Sequence, residues 1–311
     1  MHNTPAIPAP SAAPRALSPA VEGGTPATQS LGAFLRSRRA RLQPEDVGLV
    51  AHGTRRRVPG LRREELAMLA GVSVAYYTTL EQGQSRNASE GVLDALARAL
   101  RLDEVERAHL HDLARPPRTV KRPAARTEAA HPRMRQLLDA VDAVPGLVLG
   151  RRLEILAWNH TGHALMASHL PYEAPADPAR RPSFPRMLFL DAHTRELHVP
   201  RWEDEARANV AYLRLVAGRH PDDQDLAALI GELCIKSERF AELWQRRGVR
   251  ECTHGIKEFH HPLVGRLSLS YDMLRLPDRP DQQLQLLSAE PGSPSEAALR
   301  LLNTQLTLSG R

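Results

Sequence analysis

The sequence has 311 residues, 42% of them hydrophobic, with 42 basic against 36 acidic side chains and a formal net charge of +6. That length allows two domains, each able to bury its own core, and the apolar share excludes a chain that stays unfolded throughout. The positive balance favours an anionic partner such as nucleic acid.

Among the basic residues only Lys121, Lys236 and Lys257 are lysines. The arginine excess fits phosphate and base recognition, and equally a GC-rich coding bias. Cys234 and Cys252 have neither metal-type nor redox-type spacing. They read as small apolar residues of a reducing compartment. No apolar run approaches the roughly 18 residues of a membrane span, and no apolar signal segment opens the sequence. The expectation is a cytoplasmic protein without a membrane partner.

Residues 1–30 hold Pro5, Pro8, Pro10, Pro14, Pro19 and Pro26 with few large apolar side chains. Such a segment cannot offset its ordering entropy and is expected to be a disordered arm. From Leu31 the spacing of Leu31, Phe34, Leu35, Arg38 and Leu42 predicts a first helix. Residues 43–60 carry Pro44, Gly48, Gly53, Pro59 and Gly60 and read as a loop. Helices are predicted at 62–70, 73–82, 89–101 and 103–114, making 31–114 a bundle of five short helices. The basic, proline-rich string at 115–126 (RPPRTVKRPAAR) opens a linker over 115–130. A second, α+β domain is expected over 131–303. It begins with a helix at 133–143 and a hairpin formed by 146–149 and 154–157. Helical patterns fill 159–169, 184–190, 202–219, 222–235 and 238–247. Extended runs follow at 250–259, 263–274 and 283–290, then a last helix at 294–302 and a tail at 304–311. That order implies a mainly antiparallel sheet with helices.

The central string of the first domain is 65–81 (ELAMLAGVSVAYYTTLE). Leu66, Ala67 and Ala70 give one helix a small inward face. Gly71 suits a sharp turn with positive φ. Ser73 is a good N-cap for the next helix. Tyr77 and Leu80 then point inward and leave Val74, Ala75, Tyr76 and Thr79 outward, free to enter a major groove. Over 31–63 there are nine arginines against Glu45 and Asp46, whereas 64–114 has nine acids against four arginines. Arg55, Arg56, Arg57, Arg62 and Arg63 are therefore expected to hold phosphates, with Ser73, Val74, Ala75, Tyr76 and Thr79 on the reading side. The rival reading is a solvated basic face on an ordinary helical bundle.

These residues resemble the helix-turn-helix of the Cro/repressor-like (XRE) class. The strings 57–67 (RVPGLRREELA), 73–83 (SVAYYTTLEQG) and 92–100 (VLDALARAL) are similar to its MmyB-like branch. Family members often have an acid where Ala75 stands and an arginine where Thr79 stands, so the resemblance implies a similar fold and a different operator. It also implies a PAS-like ligand-binding domain after the DNA-binding one. The strings 147–152 (LVLGRR), 156–159 (LAWN), 202–214 (WEDEARANVAYLR), 218–222 (GRHPD), 261–265 (HPLVG) and 289–294 (AEPGSP) agree. The implied cargo is a small amphipathic molecule, with long-chain fatty acids the family-level suggestion.

From the residues themselves, Asn159, Arg207 and His261 are the candidates to cradle an anionic head. Arg214 lies on the same helix face as Arg207. Trp158, Phe189, Leu190, Leu213 and Tyr271 could line an apolar pocket. The plainer alternatives stay open: Asn159 caps the following helix, Arg207 pairs with Glu203, and His261 bonds within the core. Fourteen histidines form no HExxH and no finger-type cluster, and the chain has no GxGxxG, P-loop or GxSxG.

The expectation is a non-enzymatic transcriptional regulator with no required cofactor and no metal. Its expected partners are a double-stranded DNA operator, a fatty-acid-like effector and a second copy of itself. One alternative makes the C-terminal domain a protein-interaction or dimerisation module without a small ligand. A fused enzyme is the least supported.

Overall fold

The computed structural model describes residues 30–49, 60–84, 88–114, 128–246, 248–249, 253–276 and 279–308. All of the expected N-terminal arm but Ser30, and most of the expected linker, lie outside these residues.

The first domain is α1 (Leu31–Arg39), α2 (Arg63–Ala70), α3 (Val74–Glu81), α4 (Glu90–Ala99) and α5 (Glu104–Ala114). Leu35, Leu66, Tyr77, Leu80, Leu96 and Leu110 are fully buried between them. The predicted loop after α1 contains a short 3-10 turn at Pro44–Val47.

The second domain opens with α6 (Pro132–Ala140), β1 (Gly146–Leu149), β2 (Ile155–Trp158) and α7 (His160–Ala167). There follow α8 (Phe184–Leu190), α9 (Ala192–Leu197), α10 (Trp202–Arg219), α11 (Gln224–Lys236) and α12 (Glu238–Gln245). The chain closes with β3 (His254–His261), β4 (Gly265–Leu276), β5 (Arg279–Ser288) and α13 (Pro294–Leu308). All pairings are antiparallel, in one five-stranded sheet of order β2-β1-β5-β4-β3. This is the helical bundle and α+β sheet domain expected from the sequence.

Side-chain alternation divides the sheet's two faces. Leu147 and Leu149 of β1 join Phe259, Leu267, Leu269 and Leu287 in the main core, against the helices. Val148, Leu156 and Leu284 point to the opposite face, where Met134 and Leu138 of α6 cover them. That cover spans β2, β1 and β5. On β3 and β4 the same outer face exposes Ile256 and Leu274.

Four elements depart most from expectation. α9 falls in a stretch left unassigned; Asp191 ends α8 and accepts from Thr194 N at 3.0 Å to start it. β3 and β5 are displaced because pairing decides their ends: His261 faces Gly265 across a tight turn, and Leu276 faces Arg279. The last helix runs on to Leu308, into the stretch read as a tail.

The two domains touch. α10 packs on α5, Arg219 lies 3.5 Å from Asp112, and Arg41 donates to Arg246 O at 2.9 Å. Val249 packs into the core of the first domain.

Candidate functional site

The helix-turn-helix is built as its sequence dictates. Gly71 ends α2 with φ 66°, a left-handed conformation that glycine adopts without a Cβ penalty. Ser73 caps α3, its hydroxyl accepting from Tyr76 N at 3.1 Å. Tyr77 and Leu80 are buried, Val74 and Ala75 are exposed, and Tyr76 and Thr79 are half-buried. Thr79 Oγ1 donates to Ala75 O at 2.9 Å, so its free lone pair can only accept from a base edge.

The end of α3 is anchored by one buried carboxylate. Glu81 binds Arg39 through two 3.0 Å hydrogen bonds and Arg63 through bonds of 2.9 and 3.1 Å. Burial alone would raise the Glu81 carboxyl; these guanidinium groups, Arg39 first, hold it instead at about 2. Arg38 is likewise buried and lies 2.8 Å from Glu106. Arg38 and Arg39 are thus buried and tied to acids within the bundle, whereas Arg63, expected at the phosphates, is partly exposed and also bonds Glu81. Arg62 is exposed at the start of α2. Arg55, Arg56 and Arg57 lie outside the described residues.

In the second domain a cavity opens between α10 and the inner face of the sheet. Its interior is small, about 50 Å³, and part of it is open to solvent. Glu205, Ala208, Asn209 and Tyr212 line it from α10, the i, i+3, i+4, i+7 positions of one helix face. Lys257, Tyr271 and Gln285 face them from β3, β4 and β5. Lys257 donates to Glu205 in a buried ion pair. Burial works to raise the Glu205 carboxyl, but the ammonium beside it holds it below its ordinary range. Asn209 is 4% exposed, and neither its amide nitrogen nor its amide oxygen has a hydrogen-bond partner. Each such unmet buried group costs about 1–3 kcal/mol, so this residue marks a place that a guest would stabilise.

The family model described as MmyB-like transcription regulator ligand binding domain matches residues 130–302, and a helix-turn-helix domain model matches residues 30–110. The first match covers more than half of the chain. The chain belongs to the MmyB-like family. Its two matched domains are those of a DNA-binding transcription regulator with a ligand-binding domain. No curated protein matches the chain.

The MmyB-like domain does not gather the residues expected to hold an anion. Asn159 is the N-cap of α7: its Oδ1 accepts from Gly162 N and Gly146 N, and its Nδ2 donates to Val144 O at 2.7 Å. Arg207 is half-exposed and bridges Glu203 and Asp204 on its own helix. His261 is buried with Nε2 3.1 Å from Ala164 O, and its Nδ1 accepts from Leu263 N. Arg214 is buried, donates to Gly248 O and Trp244 O, and lies over the Trp244 ring. Trp158 donates to Tyr172 O at 2.7 Å. Of the predicted ligand set Tyr271 alone lines the cavity. The physical reason is competition from partners already at hand: buried backbone groups take the polar atoms of Asn159, His261, Arg214 and Trp158, and carboxylates of its own helix take Arg207.

Glu205, Asn209, Tyr212, Lys257 and Gln285 were not anticipated. Two signals for them exist in the MmyB-like domain's own sequence. Lys257 is in phase with Phe259 and His261 on the inward face of β3, and a lysine in an inward position needs a partner. Asn209 shares a helix face with apolar Ala208 and Tyr212, where an amide is out of place.

Among the described residues no group of His, Cys, Asp and Glu could hold a metal ion, and no helix is long and apolar enough to cross a membrane.

Proposed function

We propose that this chain is a cytoplasmic XRE-class regulator whose operator affinity is set by a small amphipathic ligand in the cavity behind α10. One observation carries the reading. Near its start α10 lines the cavity through Glu205, Asn209 and Tyr212, and at its end Gly218 and Arg219 meet α5 of the DNA-binding domain. From Asn209 to Gly218 is about 14 Å along a single helix. A guest that favours one placement of α10 also favours one placement of α5. By linkage it then shifts operator affinity by its differential binding to the two arrangements.

The apolar wall formed by Leu149, Leu153 and Met273 suits a fatty-acid-like body. Two reading helices on one duplex are the usual solution for this motif, so we infer a homodimer. The uncovered outer face of β3 and β4, with Ile256 and Leu274, is the apolar surface that would serve it. It also suits the alternative reading, a pure dimerisation module.

The test selects duplexes from a random library with the full chain. Affinity for the best duplex is then measured with and without medium-chain amides and acids. A shift that is lost on changing Asn209 supports ligand control. An affinity indifferent to every saturating guest favours the dimerisation module.

A further inference from the structure

Lys257 is the one cation and Glu205 the one anion among the described residues lining the cavity. They bond each other, so the pair is neutral as a unit. The rings of Phe184 and Tyr271 stand 5.6 and 4.9 Å from Lys257 Nζ and surround the ammonium with apolar faces. His198 lies near the pair, buried, with Nδ1 2.9 Å from Thr194 O. Its Nε2 has no partner, and burial lowers the ring's proton affinity.

A carboxylate entering this space would stand beside the carboxylate of Glu205. It would have to take Lys257 from Glu205 and leave a second buried anion unmatched. A neutral head meets no such conflict. Asn209 lies one helical turn from Glu205 and carries an N–H donor beside a C=O acceptor, both buried and both unpartnered. Its complement is another amide, which returns one hydrogen bond to each atom.

We propose that the cavity binds a neutral, amide-like head (a carboxamide, lactam or carbamate) on an apolar body, and that Asn209 reads that head. The proposal rests on the ligand-responsive reading above and names its ligand class. It displaces the acid head that the family resemblance implied.

The experiment titrates the full-length protein by calorimetry with octanamide, decanamide and dodecanamide and with the corresponding fatty acids. Asn209→Leu is the comparison variant, and native mass spectrometry records any molecule carried through purification. The expected result is binding of the amides at least tenfold tighter than the acids. In Asn209→Leu the amides should weaken at least tenfold, while the unliganded variant melts no lower than wild type because an unmet polar group has gone. Acids binding as tightly as amides, or amides unaffected by Asn209→Leu, would overturn the amide head and leave ligand control standing. A co-purified neutral amide-like molecule supports the proposal, and a co-purified acid overturns it. Neither series binding to a protein free of carried molecules overturns both the head group and the ligand-responsive reading.

Discussion

Gly218 of α10 faces the ring of His109 of α5 so closely that a Cβ on Gly218 would stand 2.4 Å from His109 Cε1. The absence of a side chain on one helix is what admits a buried aromatic from the other. His109 also stacks edge-on against Phe34, 5.1 Å between centroids, so its ring cannot simply swing away. The contact joins the helix that lines the cavity to the domain that carries the reading helix.

Gly218→Ala should therefore disturb the domain contact more than the helix. Overpacking a buried contact of this kind costs about 1–3 kcal/mol, whereas alanine is itself the better helix former. The expected outcome is a lower melting temperature with unchanged helical circular dichroism. Any effect of ligand on DNA affinity should shrink in the same variant. A variant that melts higher than wild type would show that the two helices separate freely.

His109 also gives the contact a pH dependence. Burial first, then the charges of Arg214 and Arg219, lower its pKa to about 4. In the unfolded chain it protonates near the ordinary histidine value of about 6.5. Between those values the unfolded chain binds more protons, so stability falls as pH falls from 6.5 towards 4 and is fully present above that window. The gap corresponds to about 3 kcal/mol at most. Urea unfolding across this range should show a shallower pH slope in His109→Leu than in wild type.

Glu81→Gln should be among the most damaging single changes in the DNA-binding domain. It leaves Arg39, 8% exposed, without its bidentate partner, and breaking a buried pair from one side costs about 3–5 kcal/mol. The pH signature has the same direction and a lower window: the carboxyl is held at about 2 against an ordinary 4.5, so its contribution is present above 4.5 and lost as pH falls towards 2. Thermal melts of the variant at pH 7 check the first statement. A wild-type acid titration checks the second.

Arg207→Ala should change little. The side chain is half-exposed and its pairs with Glu203 and Asp204 are surface pairs on one helix, each worth well under about 1 kcal/mol. Amide and acid affinities should match wild type within error. A loss of either would place the head group on the outer face of α10 and away from Asn209.

Arg62 and Thr79 should separate affinity from specificity. Arg62→Ala removes an exposed charge beside the reading unit, and the log–log salt slope of DNA binding should fall by about 0.9. Thr79→Arg should change the sequences selected from a random library more than it changes non-specific affinity. Identical selected sites would mean that this side of α3 does not read bases.

The sequence by itself determined the local grammar of the protein. Glycine at 71, serine at 73 and the inward spacing of Tyr77 and Leu80 place the helix-turn-helix because turns, caps and helix faces are decided within a few residues. The order of helices and extended runs likewise announced the sheet domain. The plain alternatives for Asn159 and Arg207 were readable too, since a cap and an i, i+4 pair are short-range events. Only the tertiary structure decided where polar groups are left over. Glu205 and Lys257 are 52 residues apart, and Gly218 and His109 come from different domains. Whether Asn209 finds a partner depends on every element packed around it. A binding site is what remains after folding has satisfied the rest, and that remainder is a property of the assembled interior.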